Sequence, residues 1–126
     1  MEIKNIDLGK VIGFLEETNF KGLQSVNRSK VTNYLTEQLQ DVVKGEQTIR
    51  EDFKDDHEKL RDELKKYFDQ TVTVDGANFK PGLVAIENKI KELTSEECEQ
   101  EFCGDDAYAL SVLYEAFRLD KEETLL

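Results

Sequence analysis

From Val31 to Phe68 the apolar side chains fall at Val31, Leu35, Leu39, Val42, Ile49, Phe53, Leu60, Leu64 and Tyr67 or Phe68. Successive gaps are four, four, three, seven, four, seven, four and three or four. All are sums of threes and fours, so one narrow stripe can follow a single α-helical face throughout. A strand cannot use this spacing, because its faces repeat every second residue. An unbroken helix from Ser25 or Ser29 to Phe68 would reach roughly 65 Å at about 1.5 Å per residue, well beyond the width of a small domain. The stripe must therefore kink, or project as one half of a coiled coil. Gly45 is the natural kink, since glycine inside a helix costs about 1 kcal/mol relative to alanine. The acid–base pairs Glu46–Arg50, Asp55–Lys59 and Asp62–Lys66 are spaced i,i+4 and support the second half as a solvated helix face.

The flanking segments are shorter. Asp7 can cap a first helix carrying Leu8, Val11, Ile12 and Leu15, and Lys21-Gly22 reads as the turn after it. Thr71-Val72-Thr73-Val74 is β-branched and alternating, and Asp75-Gly76 follows, which predicts a small hairpin or strand over 71–80. Pro81 can open a third helix with Leu83, Val84, Ile86, Ile90 and Leu93. Thr94 with Glu97 fits a capping box. Residues 96–103 read either as a short helix, with Cys98 and Phe102 on one face, or as an edge strand. Asp105 caps a last helix with Ala109, Leu110, Val112, Leu113, Ala116 and Phe117 apolar. From about Asp120 the tail is expected to fray, with Leu125-Leu126 free to pack. These readings predict a mainly α single domain over 1–126. One long central helix is packed by shorter N- and C-terminal helices, with a minor β-hairpin or strand near 71–80.

The chain has 126 residues, 36% of them charged, and a formal net charge of −11. That sign disfavours direct contact with nucleic acid or anionic membrane. No apolar run approaches the roughly 20 residues of a membrane span, and the first residues lack a signal-peptide pattern. A cytoplasmic protein with reduced cysteines is expected. Cys98 and Cys103 have neither redox-motif nor zinc-ligand spacing. His57 is the only histidine and lies in a charged stretch, so a histidine-rich metal site cannot be assembled; a hydrolytic triad could run only through His57, and nothing points to a nucleophile. No phosphate-cradling glycine motif is present. Asp52, Asp55, Asp56 and Glu58 are better explained as partners of nearby bases than as metal ligands. No catalytic residue, metal or cofactor is expected.

The charge is unevenly spread. Residues 1–45 carry six acids and six bases, whereas residues 87–126 carry twelve acids and four bases, a net −8. Within that last third, Glu96, Glu97, Glu99, Glu101, Asp105 and Asp106 put six carboxylates in eleven residues with no base among them. Such a field attracts basic protein surfaces. On a rigid surface it could imitate a phosphate backbone, and otherwise it serves solubility. Tyr108 and Tyr114 would supply anchors beside it if exposed. Phe102 could do the same, although core packing is the simpler role for Phe102 and Phe117.

The stretch Phe20-Lys21-Gly22-Leu23-Gln24-Ser25-Val26-Asn27-Arg28-Ser29-Lys30-Val31, with Tyr34-Leu35-Thr36-Glu37-Gln38-Leu39 after it, resembles the opening of the DUF1617 family of small Firmicutes phage and prophage proteins. Phe102-Cys103-Gly104-Asp105-Asp106-Ala107 and Tyr114-Glu115-Ala116-Phe117 resemble that family's ending. The resemblance implies a phage-encoded protein working in the cytoplasm of an infected or lysogenic bacterium. The expectation is a non-enzymatic accessory protein that binds a basic host protein, such as a CRISPR or other defence nuclease, and inhibits it by nucleic-acid mimicry. Glu96, Glu97, Glu99, Glu101, Asp105, Asp106, Tyr108 and Tyr114 would form the partner surface. The alternative is a phage assembly adaptor or chaperone that forms a homo-oligomer through the long helix.

Overall fold

The structure, a computed structural model, describes residues 1–124. Leu125 and Leu126, which the sequence leaves free to pack, lie outside the described residues. The elements in order are β1 (Glu2–Lys4), α1 (Leu8–Glu17), α2 (Leu23–Asp52), α3 (His57–Asp69), β2 (Thr71–Thr73), α4 (Lys80–Leu93), α5 (Gly104–Ala116) and α6 (Leu119–Thr124). No helix among the described residues is long and apolar enough to cross a membrane.

The short helix α1 is the hub. Leu8, Val11, Ile12, Phe14 and Leu15 are buried, half of its ten residues. It packs on α2 along one side and on α5 along another. The 30-residue α2 buries only Val31, Thr32, Leu35 and Val42, so only the part up to Val42 belongs to the globule. α4 lies across that part and buries Ala85, Ile86 and Ile90 at helical spacing, with Gly82 at the crossing. Ala109 and Leu113 complete the core from α5. Arg28 ties α2 to the carboxyl end of α1 by donating to the backbone carbonyls of Leu15 and Thr18. A cation at that end offsets the helix dipole and satisfies carbonyls that have no partner within the helix.

The long helix exists, but it is interrupted elsewhere than expected. It runs straight through Gly45 and stops at Phe53. Asp56, in extended backbone, then starts α3, and its carboxylate accepts from the Lys59 backbone N–H at 3.1 Å. α3 folds back along α2 as a helical hairpin, which replaces the projecting coiled-coil half. Gly45 is there for contact rather than for bending. The Tyr67 hydroxyl donates to the Val42 carbonyl at 3.0 Å, and a Cβ on residue 45 would lie 2.1 Å from that hydroxyl oxygen. Gly45→Ala is therefore expected to destabilise the protein by about 1 kcal/mol. Losing the hydrogen bond and displacing the ring costs about 2 kcal/mol, against a gain of about 1 kcal/mol in helix propensity. Thermal melts and hydrogen exchange in 57–69 would check the sign. An isolated-helix argument predicts the opposite one.

Of the three i,i+4 pairs, Glu46–Arg50 forms at 2.9 Å. Asp55 falls in the turn between the helices, and Lys66 turns to Glu63 at 3.6 Å in place of Asp62. The strand prediction holds for 71–73, but the hairpin does not form. β2 pairs antiparallel with β1 in the register Glu2↔Thr73, Ile3↔Val72, Lys4↔Thr71. Ile3 and Val72 face the core, and Asp75-Gly76 leads into α4 instead of into a returning strand. Buried Asn5 closes this corner. Its side-chain amide donates to the Tyr67 carbonyl at 2.9 Å and its backbone N–H to the Gln70 carbonyl at 2.8 Å. Helix α6 follows α5, with Leu119 buried.

Candidate functional site

Between Leu93 and Gly104 lies the longest stretch without helix or strand among the described residues. Neither the short helix nor the edge strand expected over 96–103 forms. Thr94 does not cap a new helix; it closes the old one. Its hydroxyl donates to the Ile90 carbonyl at 2.7 Å, and the Ser95 hydroxyl donates to the Glu92 carbonyl at 3.0 Å. Both hydroxyls donate to carbonyls at the end of α4 that have no partner within the helix. Phe102 then fixes the loop to the body, its ring 6.1 Å from that of Phe14. Gly104, at φ 57°, takes a left-handed conformation that glycine adopts without penalty and starts α5. Asp105 is consequently inside the first turn rather than at the cap.

Glu96, Glu97, Glu99 and Glu101 lie on the loop, Asp105 and Asp106 on the first turn of α5, and all six are exposed. Acids on that first turn favour the helix. Asp105 meets Lys10 at 3.7 Å, with side chains 82% and 48% accessible. A pair so open to solvent contributes less than about 1 kcal/mol. The other five carboxylates make no ion pair among the described residues. Their charge is thus directed at solvent and not consumed internally. Four of the six ride on an irregular loop, not on the stiff helical surface expected, because the local hydrogen bonds end α4 before they begin.

The two tyrosines behave differently from each other. Tyr114 is half-buried and packs against the core, so it is not a surface anchor. Tyr108 is exposed along its ring, with the Lys10 ammonium 4.7 Å from the ring centre. Its hydroxyl is committed internally, donating to Asp7 Oδ1 at 2.5 Å. Asp7 is only 7% exposed and makes no side-chain cap on α1, which corrects the role expected of it. This hydrogen bond spans 101 residues and joins the residue before α1 to α5. It pushes the Tyr108 pKa above its usual value of 10.0, with burial and the Asp7 and Glu115 charges adding to the effect. Burial and the Asp41 and Glu46 charges raise that of Tyr67 too. A raised tyrosine pKa favours the neutral form in the folded state. The contribution is complete below pH 10, where the unfolded tyrosine titrates, and is lost as pH rises through the folded value. Tyr108→Phe should cost about 1–3 kcal/mol at neutral pH, because it strips a buried carboxylate of its donor. It should also flatten part of the stability loss above pH 10, read from urea melts across pH 7–11.

Phe102 and Phe117 pack against the core as expected. Cys103 is exposed and Cys98 half-buried, and both are free thiols. His57 is exposed at the start of α3. Among the described residues no group of three His, Cys, Asp or Glu side chains is placed to hold a metal ion. Beneath the acidic loop is a cleft of about 250 Å³ that no sequence pattern signals. Phe14, Glu17 and Asn19 line it from the end of α1, Lys89 and Leu93 from α4, and Phe102 and Asp106 from the far side.

Compared with protein-family models, with curated proteins and with solved structures, the chain has no match.

Proposed function

We propose that this protein acts without catalysis, by binding a basic protein through the acidic loop and the first turn of α5. The observation carrying this reading is the set of five exposed carboxylates, Glu96, Glu97, Glu99, Glu101 and Asp106, that have no cation of their own among the described residues. Charges left open in this way contribute to steering and partner choice rather than to stability. A loop offers an adaptable acidic strap more naturally than a fixed copy of phosphate spacing. The target this suits is a protein whose own ligand is a polyanion, such as a host defence nuclease. Tyr108 contributes its exposed ring. The test is competition. A basic nucleic-acid-binding protein is titrated with this chain and with a duplex oligonucleotide in 50 to 300 mM salt. Mutual displacement with a steep salt dependence is expected. Simultaneous binding of both would defeat the inhibitor reading, and no binding at low salt would defeat acidic-loop recognition altogether.

One observation favours a second reading, an assembly adaptor. The distal hairpin is thinly covered. α3 has no buried residue, and Ile49, Phe53, Leu60 and Leu64 are all half-buried. Two helices alone cannot enclose an apolar seam that a four-helix bundle would. Sedimentation of the wild type against Phe53→Asp and Leu60→Asp decides this: self-association independent of salt, and lost in both variants, would establish it.

A further inference from the structure

We propose that the cleft beneath the acidic loop seats one arginine side chain of a basic protein partner. This rests on the loop reading above and specifies it to a residue type and a place. Size is the first argument. At about 250 Å³ the cleft is smaller than the roughly 300–1,000 Å³ typical of small-molecule pockets, so it suits one long side chain. Charge is the second. Three carboxylates, Glu17, Glu92 and Asp106, line it against the single ammonium of Lys89, a net −2. Lys89 is already paired with Glu92 at 3.2 Å. Glu17, on the last turn of α1, and Asp106, on the first turn of α5, are exposed and make no ion pair among the described residues. They approach the cleft from two elements.

The lining is the third argument. Phe102, half-buried and backed by the buried Phe14 ring 6.1 Å away, gives aromatic surface against which a cation is attracted. Thr18, whose carbonyl already accepts from Arg28, and Asn19 complete the border. The molecule already seats one guanidinium on an aromatic ring. Arg28 places its guanidinium 4.9 Å from the centre of the Phe20 ring and donates to the carbonyls at the end of α1. Arginine fits better than lysine because its planar head can bridge two carboxylates while lying on a ring.

The experiment follows amide shifts of the intact protein by NMR during titration with a hexa-arginine peptide, and with hexalysine for comparison, at low salt. The expected result is shifts concentrated at Phe14, Phe102 and Asp106, with hexa-arginine binding tighter than hexalysine by about fivefold or more. Glu17→Gln with Asp106→Asn should weaken hexa-arginine about tenfold, whereas Glu51→Gln with Asp52→Asn, the same charge change at the end of α2, should not. If Glu17→Gln with Asp106→Asn leaves binding intact while Glu97→Gln, Glu99→Gln and Glu101→Gln together abolish it, the cleft assignment is overturned and the acidic loop stands. If hexa-arginine fails to bind the wild type, both are overturned.

Discussion

Gly82→Val is expected to lower the unfolding free energy by about 2–3 kcal/mol and the melting temperature by about 10 °C. Gly82 is buried in the first turn of α4 where that helix crosses α2. A Cβ there would come within 2.4 Å of the Asn27 carbonyl oxygen and 2.8 Å of Val31 Cγ2. The Asn27 oxygen is backbone in the second turn of a long helix and cannot swing aside as a side chain would. The helices must separate, and the burial of Ala85, Ile86 and Ile90 is diluted together. Gly13→Ala provides the contrast. Its added Cβ has nothing within 4 Å, so only helix propensity acts, and a gain of up to about 1 kcal/mol is expected. Equal melts for Gly82→Val and wild type would mean that α4 does not cross α2 at this residue.

Reversing Glu97, Glu99 and Asp106 to lysine together is expected to weaken binding to a basic partner by about 100-fold at 50 mM salt. An exposed charge pair about 7 Å apart is worth roughly 0.6 kcal/mol in water. Reversal swings each site by about twice that, and salt screening reduces the sum over three sites to about 2–3 kcal/mol. Most of the loss should appear in the association rate and should shrink towards about tenfold at 300 mM. The fold should be retained, at a cost of about 0.5–1 kcal/mol because Asp106→Lys puts a cation on the first turn of α5. All three side chains are exposed, and their carboxylates make no ion pair among the described residues. An unchanged association rate in a triple variant that remains folded would remove the loop from the interface.

The elements differ in how openly the sequence announced them. α1, the first half of α2, α4 and α5 were legible because each carries its buried residues at three- and four-residue intervals. The break between α2 and α3 was also readable, since Asp56 is a good cap residue, but Gly45 drew the inference away from it. Gly45 and Gly82 look alike as helix-weakening residues; only the positions of Tyr67 and of Asn27 explain why each must be small. The acidic cluster was evident from composition, and its exposure follows from its charge. The Asp7–Tyr108 hydrogen bond had no sequence signal, because its two groups are 101 residues apart. The cleft was equally silent, being assembled from the ends of α1, α4 and α5.

Taken alone, the amino-acid order determined a helical domain, its apolar faces and a negatively charged final third, because side-chain periodicity and local charge act over a few residues. Tertiary structure decided the rest: that α3 folds back on α2, that Thr71–Thr73 pairs with Glu2–Lys4 rather than with its own neighbours, and that residues 94–103 remain a loop above a cleft. Those outcomes depend on contacts between segments far apart in the chain. Their free energy comes from surfaces that exist only once the core around α1 has closed.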